Sequence, residues 1–176
     1  MTNISTKELT LTAVMSAFVF VATFVPKIPI PLGYAHLGDA AIFIIVVMFG
    51  RKVGILSGCF GSMLADLIGG FPIWIGPTLI IKWLMAETFI KIANLNDSNF
   101  NYYSPRTIIA LLMAGVVMAA GYTITGALLY DSLEAGLTST PGLLMEGLVN
   151  AVTAIIVGTA IKIRNSECVI RNWEFG

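Results

Sequence analysis

The sequence carries little charge. Only 11% of its 176 residues are Asp, Glu, Lys or Arg, against roughly 25% in an ordinary soluble domain. Hydrophobic residues make up 57%, and the mean hydropathy is +0.88. A soluble protein of this length could not bury so much apolar surface, so that class is excluded. The formal net charge is zero, and composition therefore provides no electrostatic reason to expect a nucleic acid partner.

Histidine and cysteine are scarce, with one His and two Cys. His36 has no second histidine with which to bind a metal, and we expect no metal site. Cys59 lies in an apolar run and Cys168 in the tail, so we expect no disulfide between them. The motifs G-x-x-x-x-G-K-[ST], H-E-x-x-H and G-x-S-x-G are absent. Their absence argues against ATP hydrolysis by this chain and against the familiar hydrolase chemistries.

Long apolar runs are what the sequence does contain. A helix that crosses a bilayer needs about 20 mostly apolar residues, and six runs approach or reach that length. The pattern predicts an all-α membrane protein in which residues 1–176 form a single domain, a bundle of six transmembrane helices. The predicted helices are Leu9–Val25, Gly38–Gly50, Val53–Ile68, Pro77–Ala93, Thr107–Tyr130 and Gly142–Ile163.

The basic residues orient this bundle. With the N-terminus in the cytoplasm, eight of the ten basic residues fall on the cytoplasmic side, Lys27 falls outside, and Lys82 falls within the fourth run. The positive-inside rule therefore predicts that both termini are cytoplasmic, and we expect a multi-pass protein of the bacterial cytoplasmic (inner) membrane. The eight residues are Lys7, Arg51, Lys52, Lys91, Arg106, Lys162, Arg164 and Arg171.

Polar residues inside such spans are functional candidates, because they are costly to place in lipid. The helical rise of about 1.5 Å per residue converts sequence position into depth, and the candidates gather in the outer half of the bilayer. We predict an outward-facing pocket in which aromatic rings stack on a flat heterocycle and a few polar groups bind its edge. The predicted substrate-binding residues are Tyr34, His36, Asp39, Trp74, Lys82, Tyr122, Glu146 and Asn150.

Structural roles are the alternative for several of these residues. Asp39 could cap a helix N-terminus, and Trp74 could be an interfacial belt residue. Lys82 could serve only to neutralise Asp66 or Glu146. We expect Asp66 to pair with Lys82 or with a loop amide.

Two segments resemble a known family. The first is Ala13–Val14–Met15–Ser16–Ala17, and the second is the central block HLGDAAIFIIVVMFGRKVGILSGCFGSMLADLIGGFPIWIGPTLIIKWLMA, which runs from His36 to Ala86. Together with the six-span plan they resemble the substrate-binding S components of energy-coupling factor (ECF) vitamin transporters. The resemblance is to the branch with riboflavin-, hydroxymethylpyrimidine- and pyridoxine-type members.

The resemblance implies a function. An S component binds a vitamin or vitamin precursor outside the cell and docks on a membrane T subunit that carries two ATPase subunits. It implies that Ala13 and Ala17 contact the T subunit, that the partners hydrolyse ATP, and that this chain is not an enzyme and needs no cofactor. The pocket lacks the cationic cluster that a phosphorylated ligand would need. It suits a pyridoxine, a hydroxymethylpyrimidine or a flavin such as riboflavin. The alternatives are a ligand-free membrane scaffold or assembly protein and an intramembrane enzyme.

Overall fold

The computed structural model describes residues 5–30, 33–95 and 100–164. Cys168 and Arg171, which entered the sequence analysis, lie outside these residues. The helices are α1 (Thr6–Phe24), α2 (Gly38–Gly69), α3 (Ile75–Ala93), α4 (Pro105–Leu129) and α5 (Leu133–Arg164). Two short strands, β1 (Ile28–Ile30) and β2 (Gly33–Ala35), precede α2, and a 3₁₀ turn (Pro72–Trp74) precedes α3.

Five stretches of the described chain are helical, long enough and apolar enough to cross a membrane. Consecutive helices pack on one another, and α5 returns to contact α2, which closes the bundle. Its core is built almost entirely of aliphatic and aromatic side chains, with Ile42, Phe43, Met85, Phe89 and Met118 almost wholly buried. The helical membrane class is therefore confirmed.

Helix α2 is interrupted at Gly50. This residue has φ 83° and ψ 175°, a left-handed φ that glycine adopts without a Cβ penalty. The chain folds back there, as two close approaches show. A Cβ built on Gly54 would lie 2.7 Å from Val46 Cα, and one built on Gly58 would lie 3.0 Å from Ile42. Residues 38–49 and 51–69 are thus two arms packed against each other. The glycine stripe of the second arm serves packing within the chain.

The segment between α1 and α2 forms a small antiparallel hairpin. Ile28 pairs with Ala35, and Ile30 pairs with Gly33. Leu37 N–H then donates to the carbonyl of Ala22 in α1, while Ile30 packs against Gly142 of α5. The two strands therefore lie across one end of the bundle.

The start of the last helix differs from the prediction. We predicted a helix from Gly142, but α5 begins at Leu133 and includes Pro141 in its interior. The Ser132 hydroxyl accepts from the Ala135 N–H, and Gly136 lies so close to α4 that a Cβ there would be 2.5 Å from the Thr123 carbonyl oxygen. Packing on a neighbouring helix thus sustains helical structure through a proline, as is known in membrane helices.

Candidate functional site

A pocket opens at the end of the bundle covered by the hairpin. The space at its mouth and between its walls is about 580 Å³, part of which is open solvent. Every element near this end contributes side chains. The lining residues are Ile30, Tyr34, His36, Asp66, Phe71, Trp74, Tyr122, Ser139, Leu143 and Glu146.

Aromatic rings form much of the wall. The ring centroids of Trp74 and Tyr122 are 5.6 Å apart and tilted by 49°. Those of Tyr34 and Phe71 are 5.9 Å apart, and Tyr34 also contacts the His36 ring at 5.8 Å. These separations are typical of favourable aromatic pairs. The pocket can therefore hold a flat, partly apolar ligand between rings.

Two polar atoms of the pocket wall, Tyr34 Oη and Trp74 Nε1, are buried without a hydrogen-bond partner in the described parts of the chain. A third buried atom, Glu146 Oε1, lies 3.1 Å from His36 Nδ1. Buried polar groups are normally paired, and leaving one unpaired costs about 1–3 kcal/mol. The phenol and indole groups are therefore atoms that a ligand could satisfy.

A hydrogen-bonded chain occupies another part of the wall. Tyr122 Oη donates to Thr78 Oγ1 at 3.1 Å, and Thr78 Oγ1 donates to Asp66 Oδ2 at 2.5 Å. Asp66 is therefore held by Thr78, and the expectation that it pairs with Lys82 or a loop amide is wrong. These two hydrogen bonds hold the Tyr122 hydroxyl in place at the pocket wall.

Lys82 and Asp39 form an ion pair beneath the pocket. The ammonium contacts Asp39 Oδ1, with only 1% and 2% of the two side chains exposed. The Lys82 Nζ also lies 5.3 Å from the centroid of the Tyr122 ring. Lys82 thus neutralises Asp39 and not Asp66 or Glu146. Neither member of the pair is among the lining residues.

Asn150 joins the site to the bundle through its side-chain amide. Its Oδ1 accepts from the Ala40 N–H at 2.8 Å, and its Nδ2 donates to the carbonyls of His36 at 2.7 Å and Glu146 at 2.9 Å. The side chain is fully buried, and its bonds all go to backbone. The structure therefore places Asn150 behind the pocket wall.

Burial also changes the acid–base behaviour of Tyr34 and His36, which lie in the segment between α1 and α2. Desolvation, aided by the nearby Asp66 carboxyl, raises the pKa of Tyr34 to about 12. Desolvation, aided by the Lys82 charge, lowers the pKa of His36 from 6.5 to about 4, because burial disfavours the charged form. Both side chains are neutral near pH 7.

The structure brings together five of the eight predicted site residues as lining residues: Tyr34, His36, Trp74, Tyr122 and Glu146. Asp39, Lys82 and Asn150 lie behind them. Ser139 and Leu143 also line the pocket and were not predicted; they share a face of α5 with Glu146. Their i, i+4, i+7 spacing is a helical signal that Pro141 obscured.

No cluster of three or more His, Cys, Asp or Glu side chains that could hold a metal ion occurs within residues 5–30, 33–95 and 100–164. Ala13 and Ala17 are exposed on α1. Ser16, which lies between them in sequence, faces the bundle, where a Cβ on Gly61 would lie 2.6 Å from its carbonyl oxygen.

Comparison with known proteins gives a family match and two relatives. A model of the family described as ECF-type riboflavin transporter, S component, matches residues 3–163. An uncharacterized protein of Pyrococcus woesei is 34% identical over 142 residues, which are 80% of this chain and 88% of that protein. The thiamine precursor transporter HmpT of Lactococcus lactis subsp. cremoris is 31% identical over 137 residues, which are 74% of this chain and 73% of that protein.

The match covers nearly the whole chain and agrees with the apolar helices and the pocket. The chain therefore belongs to the S components of ECF-type transporters, the multi-pass membrane subunits that give these transporters their substrate specificity in vitamin or vitamin-precursor uptake, and it is not an enzyme.

Proposed function

We propose that the pocket beneath the hairpin is the substrate site and that it binds a small, near-neutral heteroaromatic compound, foremost a hydroxymethylpyrimidine. The observation that carries this proposal is the pair of unpartnered polar atoms on aromatic side chains, Tyr34 Oη and Trp74 Nε1, in a pocket that the Glu146 carboxyl group also lines. A heteroaromatic ring with amino or hydroxyl groups would stack on the walls and supply the missing hydrogen bonds.

The charge of the pocket supports a near-neutral ligand. None of its lining residues is Lys or Arg, the residues that usually bind phosphate groups. Lys82 is already bound to Asp39, and Lys27 lies over the rings of Phe24 and Tyr34. A phosphorylated vitamin would find no free cation in the wall.

The relatives support the pyrimidine in particular. HmpT is named as a thiamine precursor transporter, and hydroxymethylpyrimidine is such a precursor. The family description names riboflavin, so a flavin is the second candidate. Both compounds present ring nitrogens and polar substituents along the edge of a flat ring.

For topology, we propose six membrane segments with both termini cytoplasmic. The fold-back at Gly50 supports this count, because it divides α2 into two arms. Both ends of α2 lie near the pocket, through His36 and Gly38 at one end and Asp66 at the other. Arg51 and Lys52 then lie at the opposite, cytoplasmic side of a cytoplasmic membrane, as the positive-inside rule favours.

S components act together with T and ATPase subunits. For this chain we propose one T subunit and two ATPase subunits, which hydrolyse the ATP, and no cofactor of its own. The exposed positions of Ala13 and Ala17 on α1 support a docking face there, since small residues allow helices to approach closely.

The test is direct ligand identification. The protein is purified in detergent and denatured, the released compounds are identified by mass spectrometry, and the purified protein is titrated with hydroxymethylpyrimidine, riboflavin and pyridoxine. We expect Glu146→Ala and Tyr122→Ala to weaken binding at least about tenfold, the loss of roughly 1.4 kcal/mol. Glu134→Ala, on an exposed part of α5, is the matched control. Absence of any released or bound heterocycle would refute the proposal.

A further inference from the structure

We propose that Glu146 is a specificity-determining residue that works as a neutral carboxylic acid. Its Oε1 carries a proton donated to His36 Nδ1, and its Oε2 is presented to the pocket as an uncharged acceptor. The inference about the ligand rests on the proposed function of the pocket. The position of the proton does not depend on which ligand the pocket binds.

The proton follows from the contact between two acceptors. Glu146 Oε1 lies 3.1 Å from His36 Nδ1, with 3% and 9% of the two side chains exposed. The Gly38 N–H also donates to Nδ1, at 3.2 Å, so this nitrogen presents its lone pair. A carboxylate oxygen facing a lone pair at this distance would be repelled. One proton between Oε1 and Nδ1 turns the contact into a hydrogen bond.

The proton belongs on the carboxyl group and not on the ring. A proton on Nδ1 would face the Gly38 N–H at 3.2 Å, placing two donors against each other. The low pKa of His36, about 4, also keeps the ring from becoming an imidazolium near pH 7. With a neutral ring and a protonated carboxyl group, both contacts of Nδ1 join a donor to an acceptor.

The surrounding charges favour the same state. The nearest cation is Lys82 of α3, but it contacts Asp39 of α2 and leaves no full counter-charge for a second carboxylate. A buried carboxylate without its own cation is strongly disfavoured. The titratable and charged groups that face Glu146 or share its pocket are His36, Asp39, Lys82, Tyr34, Asp66 and Tyr122.

This state has a consequence for ligand choice. Since Oε1 is engaged by His36, Oε2 is the oxygen left for the pocket, and as a carbonyl oxygen it accepts an N–H or O–H but carries no full negative charge. The site would therefore select a neutral compound with a donor group over a permanent cation of similar shape. An amino group on a pyrimidine is such a donor.

The first experiment locates the proton between Glu146 and His36 by NMR and needs no ligand. His36 is the one histidine of the chain, so protein made with ¹⁵N-labelled histidine and purified without a histidine tag reports this ring alone. We expect Nδ1 at pH 7 to give the shift of an unprotonated, hydrogen-bonded ring nitrogen. Glu146→Gln, whose amide can still donate, should keep that shift, and Glu146→Ala should move it toward the value of an unbonded nitrogen. A proton on Nδ1, or identical spectra for wild type and Glu146→Ala, would overturn the proposal.

Infrared spectroscopy gives a second measurement should Glu146→Ala fail to fold. We expect wild type at pH 7 to show the carbonyl band of a protonated carboxyl group, Glu146→Gln to lose it, and the exposed control Glu134→Gln to keep it. Persistence of the full band in Glu146→Gln would contradict a protonated Glu146.

The ligand consequence is tested with two compounds that share a pyrimidine, neutral hydroxymethylpyrimidine and permanently cationic thiamine. Titrations followed by tryptophan fluorescence should give a Kd at least about tenfold lower for the neutral compound. Tighter binding of thiamine would overturn the assigned selectivity. Failure of both compounds to bind would refute the pyrimidine substrate, and the nitrogen shift would still decide the position of the proton.

Discussion

The Lys82 ammonium binds the Asp39 carboxylate beneath the pocket, and both side chains are almost wholly buried. This pair joins α3 to the start of α2 directly behind the ligand-facing wall. Removing one partner of a buried pair leaves an uncompensated charge and costs about 3–5 kcal/mol. We expect Lys82→Met to lower the thermal unfolding temperature in detergent strongly, and Asp39→Asn combined with Lys82→Met to recover much of the loss. Lys91→Met, at an exposed position of the same helix, should change little. Equal effects of the two lysine substitutions would contradict the pairing.

The indole nitrogen of Trp74 is predicted to bind the ligand. Trp74→Phe keeps an aromatic ring next to Tyr122 but removes the Nε1–H donor. The binding free energy of hydroxymethylpyrimidine should therefore weaken by the contribution of one hydrogen bond, about 0.5–1.5 kcal/mol. Isothermal titration calorimetry measures this change. Trp83→Phe is the control, because Trp83 is 45% exposed on α3. Unchanged affinity in Trp74→Phe would remove the indole from the site.

Asn150 is predicted to position the pocket without touching the ligand. Asn150→Ala leaves the His36 carbonyl and the Ala40 N–H unpaired, so we expect a loss of about 2–4 kcal/mol in stability together with weaker hydroxymethylpyrimidine binding. Thr153→Ala is the control on the same helix, since its hydroxyl bonds only to the Val149 carbonyl. Weaker binding with an unaltered unfolding temperature would instead indicate a direct ligand contact.

The buried His36 predicts how stability depends on pH. Its pKa is about 4 in the folded protein and 6.5 when free, so the unfolded chain binds the proton more readily between these values. The stabilisation is therefore complete above pH 6.5 and is lost as the pH falls toward 4, by up to roughly 3 kcal/mol. The difference between wild type and His36→Gln in unfolding temperature across this window isolates the effect. A difference independent of pH would contradict the lowered pKa.

The exposed face of α1 is predicted to dock on the T subunit. Ala13→Trp and Ala17→Trp should abolish transport in cells that contain the partner subunits, because a bulky ring blocks close helix approach. Ligand binding by the isolated protein should be unchanged, since both residues are exposed on α1 and neither lines the pocket. Ala120→Trp, at an exposed position of α4, should transport normally. Transport by both α1 variants would exclude this face.

Much of the site followed from sequence because depth in a membrane can be derived from helix position. Tyr34, Trp74, Tyr122 and Glu146 were predicted at one end of the bundle, and the structure places them around one pocket. Depth along the axis does not specify rotation about it or which helices are neighbours. From sequence, Lys82 could therefore pair with Asp66 or with Glu146. The packing of α3 on α2 instead pairs it with Asp39.

Local sequence rules were least reliable where helices touch. Pro141 suggested a loop, yet α5 continues through it because α4 lies close along Gly136. At another crossing, Gly115 and Gly147 bring the backbones of α4 and α5 together, with a Cβ on Gly147 only 3.2 Å from Gly115 Cα. No local pattern singled out these contacts, since they depend on two segments that are distant in the chain.

By itself the sequence determined the membrane class and the end of the bundle where polar residues collect. Both follow from the lengths of the apolar runs and the number of Lys and Arg residues between them, which do not depend on how the helices pack. It also carried the family resemblance that the comparisons confirmed. Only the tertiary structure decided which polar atoms are satisfied and which are left for a ligand. Hydrogen bonds depend on distances of a few tenths of an ångström between remote residues. The side-chain amide of Asn150 is therefore bonded to backbone groups, and Glu146 Oε1 lies 3.1 Å from His36 Nδ1.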